Sequence, residues 1–103
     1  MSVRFTTMAK AHIRAIRVYS AQRWGKEVAE TYANVLRATM TGILDKHPSP
    51  GRDRSDDLFS GVRSFPVESH VIYYQEVAEG IVVLAVLHER QDPNNYLQAC
   101  HRC

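Results

Sequence analysis

The 103 residues suit one domain that buries enough surface to fold alone, and 45% apolar with 23% charged residues argues against disorder. No run approaches the ~20 apolar residues of a membrane-spanning helix, so a membrane protein of that kind is excluded. Thirteen Lys/Arg against eleven Asp/Glu give only +2, yet residues 1–52 carry +6 and residues 53–103 carry −4. This asymmetry suits a polyanionic or acidic partner for the first half, with a plain solvated basic face as the alternative.

In chain order, Ser2 to Phe5 has the length of an edge strand, and no apolar signal segment accompanies it, so a cytoplasmic protein is expected. Thr6 and Thr7 are suited to cap a helix. Ala9, Ile13, Ile16 and Ser20 then share one helical face, and Lys10, Arg14 and Arg17 form a basic stripe beside it, predicting a helix over residues 8–20. Residues 21–25 read as a turn. Val28, Tyr32, Val35 or Leu36, Thr39 and Ile43 recur at helical spacing, predicting a second helix over residues 24–46 that lies antiparallel to the first. It should stop at Pro48-Ser49-Pro50-Gly51, because proline lacks the donor and disfavours helix in the residue before it.

Composition changes after Arg54. Residues 61–65, 69–75 and 80–88 are rich in β-branched and aromatic side chains and predict a meander, with Glu79-Gly80 as a tight turn. Ile81 to Leu87 is apolar on both faces and reads as an interior strand. The expected fold is α+β, an N-terminal helical hairpin packed on a small antiparallel sheet. Residues 1–98 form the expected domain and residues 99–103 a tail.

The order of residues resembles ParE-like toxins of bacterial toxin–antitoxin pairs, within the ParE/RelE superfamily. The resemblance rests on Phe5-Thr6, Ala9, Ile13, Ile16 and Tyr19, then Trp24-Gly25, then Tyr32, Leu36 and Leu44. It continues through Pro50-Gly51-Arg52, Asp57-Leu58, Gly61-Val62-Arg63 and His70-Val71-Ile72-Tyr73-Tyr74, and ends in Val86-Leu87-His88 with Asp92 beyond. It implies a cognate ParD-like antitoxin that wraps the toxin, an apolar groove to receive it, and DNA gyrase as target. RelE-like relatives instead cleave mRNA on the ribosome, and fold alone does not choose between the two.

RNA cleavage needs a base or aligner for the 2′-hydroxyl, cations around the phosphate and an acid for the leaving oxygen. The resemblance places His70 and the pair His88-Glu89 where RelE-like enzymes carry basic residues, and Glu89 would repel a phosphate. A nuclease would draw on His70, His88, Arg63, Arg90 and Tyr96. The plainer expectation is that His70 and His88 donate to backbone carbonyls at strand edges, and that Arg63 pairs with Glu68 or Glu76. Arg52 is expected to pin its loop against the sheet. Ala85 stands where the family often has arginine before Val-Leu-His. Trp24 is expected to pack within the hairpin rather than stack on a base. Cys100, His101 and Cys103 are three of the four ligands a zinc site needs, with His47 or His88 required to complete it, so no metal is expected. A disulfide across so short a loop would constrain little. No cofactor motif is present.

Overall fold

A computed structural model describes residues 2–44, 51–55, 58 and 60–97. Five strands form one sheet: β1 (Ser2–Phe5), β2 (Arg52–Asp53), β3 (Val62–Val67), β4 (His70–Val77) and β5 (Gly80–His88), in the order β1-β5-β4-β3-β2. Between β1 and β2 lie helices α1 (Thr7–Trp24) and α2 (Lys26–Ala38), the latter widening into a π-type turn at Thr39–Leu44. The α+β architecture is as expected. The sheet, however, is mixed. β1 runs parallel to β5, with Val3 opposite Ile81 and Phe5 opposite Val83. The reason is the connection: β1 and its partner are separated by the whole helical hairpin, a crossover long enough for a parallel pair, whereas β3, β4 and β5 are joined by tight turns.

The helix boundary differs from the sequence reading. Residues 21–24 continue α1, and Gly25 alone breaks the two helices. Its φ of 97° is a conformation that L side chains resist, while its N–H still reaches the Ala21 carbonyl and its carbonyl accepts from Ala29. At the other end Thr6 caps α1, its Oγ1 accepting from the Ala9 N–H at 3.0 Å and donating to the Leu84 carbonyl at 2.8 Å. The expected α2 beyond Leu44, the Pro48–Pro50 stop and the Cys100–Cys103 tail lie outside the described residues.

Two apolar clusters flank the sheet. On the helical face Ala9, Leu36 and Met40 pack on Ile72, Tyr74, Ile81, Val83 and Val86. On the other face Tyr73, Ala85 and Leu87 are covered by Leu58 and Leu97. β5 is therefore an interior strand with buried side chains on both faces, as its sequence suggests. Of the stripe read in the sequence, Leu36 and Thr39 are buried and Tyr32 packs on the core, Ala29, Ala33 and Met40 complete the buried face, and Val28 and Val35 are exposed. Among the described residues no helix is long and apolar enough to cross a membrane.

Candidate functional site

Where the hairpin overhangs the open end of β4 and β5, an apolar groove of about 590 Å³ is left. Its helical wall comes from Ile16, Tyr19, Ser20, Trp24, Val28 and Tyr32, and its sheet side from Glu68, Ser69, His70 and His88. Trp24 is not packed inside the hairpin. It is 57% exposed, stands edge-to-face to Tyr19 at 6.0 Å, and carries the Arg23 guanidinium 5.7 Å above its ring. Tyr19 is equally exposed, so the groove mouth is aromatic.

His70 and His88 face each other across β4 and β5, as register partners whose rings meet edge-to-face at 5.4 Å. Among the described residues neither imidazole donates to a backbone carbonyl, contrary to expectation. The Tyr32 hydroxyl lies 2.5 Å from His70 Nδ1, and the Arg90 N–H donates to His88 Nδ1 at 3.2 Å. Burial, then the nearby His88, hold His70 below the ordinary histidine pKa, with Glu89 acting against both.

The remaining candidates are placed differently from one another. Arg63 is on the same face as His70, but Val67 is the residue that pairs with His70, four residues or ~13 Å along β3. Its Nη1 donates to the Gly51 carbonyl at 2.9 Å. Arg90 sits in the exposed turn after β5, contributing its backbone to His88. Tyr96 turns to α1, edge-to-face with His12, and its hydroxyl accepts from Gln91 Nε2. The exposed Arg52 belongs to β2, where its backbone faces Ser64. Of the five nuclease candidates, the rings of His70 and His88 meet directly, Arg90 reaches His88 through its backbone N–H, Tyr96 is linked to the His88 backbone through the Gln91 amide, and Arg63 is held at the Gly51 loop. Among the described residues no three His, Cys, Asp or Glu side chains gather as a metal site would require.

Two contributors were missed in the sequence. Tyr32 was read as a core residue of α2, and its phenolic oxygen instead holds His70. His12 caps a strand: β1 ends opposite Val83, and the Val86 N–H that it leaves unpaired donates to His12 Nδ1 at 3.2 Å. Burial lowers the His12 pKa. A lone histidine beside a basic stripe carries no local signal of either role.

Known proteins of this architecture decide the family. The family described as "ParE toxin of type II toxin-antitoxin system, parDE" matches residues 3–93. This chain belongs to the ParE toxin family. Toxin ParE1 of Caulobacter vibrioides is 36% identical over 94 residues, spanning 91% of this chain and 95% of the relative. Toxin ParE1 of Mycobacterium tuberculosis is 32% identical over 90 residues, spanning 86% and 90%. Among solved structures, a chain of the chromosomal ParDE system from P. aeruginosa superposes with a TM-score of 0.72 at 21% identity, covering 85% of this chain and 95% of that one. A chain of the RelBE2 toxin–antitoxin complex from Mycobacterium tuberculosis gives 0.62 at 20% identity, covering 84% and 95%. These two likenesses bear on fold, and both the ParE and RelE branches share it.

Proposed function

We propose that this ParE-family chain inhibits DNA gyrase by direct protein contact in the cytosol, without turnover, and that a cognate ParD-like antitoxin neutralises it. The relatives named ParE support the branch. The observation that supports the contact mechanism is the separation of Arg63 from the histidine pair, four residues along β3 from the residue that pairs with His70. His70 and His88 lie together at an apolar groove, Arg63 is held by the Gly51 loop, and Tyr96 packs on His12. In-line cleavage of RNA needs an acid, a base and a cation around one phosphate, and anionic Glu89 follows directly on His88. The groove with its aromatic mouth suits an antitoxin segment, since exposed apolar concavities of this size are places where partners seat.

The test is expression without antitoxin. Gyrase inhibition gives DNA breaks and an SOS response first, and purified protein blocks supercoiling in vitro. A lost general acid or base costs ~10²–10⁴-fold in rate, whereas a contact inhibitor has no chemical step to lose. Folded His70→Ala therefore retains most gyrase inhibition. Ribosome-dependent cuts within codons, abolished by His70→Ala or His88→Ala without unfolding, would establish the mRNA endonuclease in its place.

A further inference from the structure

The groove is not uniformly apolar: one end of it is built from two imidazoles whose Nδ1 atoms are already engaged. His88 Nδ1 accepts the Arg90 N–H, so that nitrogen bears a lone pair and the proton of neutral His88 is on Nε2. His70 Nδ1 is engaged by the Tyr32 hydroxyl. Among the described residues neither Nε2 has a hydrogen-bond partner, and neither is sealed from solvent. A metal at His88 Nε2 would need Nδ1 to be the protonated nitrogen, which the Arg90 contact opposes. The free chemistry of His88 Nε2 is donation, and His70 Nε2 donates as well when Tyr32 gives its proton to His70 Nδ1 or when the ring is charged.

The charge around the pair sets what an acceptor must be. From Thr7 to Ala38 the hairpin carries six Lys/Arg against two Glu, a net +4, and Arg23 stands over Trp24 at the groove mouth. An acidic partner segment is drawn to this side. The groups near the imidazoles are Tyr32 and Tyr19 from the hairpin, Glu68 from the β3–β4 turn, and Glu89 beyond β5. The two glutamates repel a second anion while the histidines are neutral. They tolerate it once an imidazole is charged.

We propose that the groove recognises an apolar antitoxin segment bearing a carboxylate, that this carboxylate seats on the Nε2 atoms of His70 and His88, and that docking draws a proton into the pair. The inference rests on the antitoxin reading above and adds the chemistry of its anchor. A carboxylate has two oxygens and about four lone-pair sites, which matches two donors, and a charge-assisted bond is roughly twice as strong as a neutral one. Its negative charge favours the imidazolium form, so binding and protonation reinforce each other. The consequence is a toxin–antitoxin contact that tightens on mild acidification, by up to about tenfold per pH unit for each proton taken up.

Calorimetry of the full-length toxin with its co-expressed antitoxin, at pH 7 in phosphate and in Tris, reads the proton directly. The apparent enthalpy should differ with buffer ionisation, in the direction of uptake. The difference should vanish in the His70→Gln/His88→Gln protein. It should persist in Trp24→Ala, whose affinity falls at least fivefold because only the apolar wall is damaged. A second measurement needs no antitoxin: 3-phenylpropionate should raise the titration midpoints of the His70 and His88 imidazole resonances, and 3-phenylpropionamide should not. Tight antitoxin binding with no buffer dependence, or with uptake unchanged in the double variant, would overturn the proposal and leave the antitoxin reading intact. Failure of the antitoxin to bind the parent toxin at all would sink both.

Discussion

Gly51 can be replaced by nothing larger without moving a buried tyrosine. A Cβ at this position would overlap the Tyr74 hydroxyl and lie 2.7 and 2.8 Å from two of its ring carbons. Tyr74 is fully buried in the helical-face core, so the ring cannot swing aside cheaply. The Gly51 backbone also hydrogen-bonds the Tyr74 hydroxyl, whose pKa burial raises while that bond and Arg63 pull it down. Arg63 in turn grips the Gly51 carbonyl. Overpacking a rigid site costs about 1–3 kcal/mol, and a lost backbone bond adds about 1. Gly51→Ala should therefore destabilise the protein by about 2–4 kcal/mol, a large part of the 5–15 typical of a domain. The melting temperature should fall by roughly 10–25 °C in thermal denaturation followed by circular dichroism. Adding Tyr74→Phe should recover part of the loss, because the hydroxyl clash goes while the ring-carbon contacts stay. A Gly51→Ala protein melting within about 2 °C of the parent would refute the close approach.

Three further outcomes are expected. His12 and His70 both have folded-state pKa values lowered by burial, so as pH falls through the unfolded value near 6.5 the unfolded chain takes up protons first and stability declines. Melting temperature should drop between pH 7.5 and 5.5, and less so in His12→Gln, whose amide oxygen can still accept the Val86 N–H; an equal drop would remove His12 from the account. Glu68 holds φ at 55° in the exposed β3–β4 turn, where a side chain costs about 1–2 kcal/mol and glycine about 0.5–1 through chain entropy. Glu68→Gly should raise the melting temperature by roughly 3–6 °C, and a decrease would show that the carboxylate does more for the fold than the strain removes. Leu36→Ala empties a fully buried position between α2 and the sheet and should cost about 2–5 kcal/mol, read as a lowered urea midpoint with little change in slope.

The element order and the interior position of β5 were legible in the sequence because they are local. Thr6 caps where a threonine before an apolar helical period should, and Ile81 to Leu87 is apolar at every position, which only a strand covered on both faces sustains. The family was legible too, through residues spread from Phe5 to Asp92. Other features depended on which surfaces meet. The parallel pairing of β1 with β5 joins residues 78 apart, and nothing in Ser2–Phe5 states its direction. The α2 stripe was misread at Val28 and Val35 because Ala29 and Ala33 are weak hydrophobic signals, yet they are the buried residues there, while the larger Val28 is left at the groove. The candidate site divides in the same way. His70 and His88 were found through the resemblance, but their mutual contact is set by the β4–β5 register and the Tyr32 bond by the docking of α2, 38 residues away. Periodicity and capping belong to a few neighbouring residues and can be read from them. Contacts between distant segments are chosen by packing the whole chain, and that choice placed the histidines together and held Arg63 at the Gly51 loop.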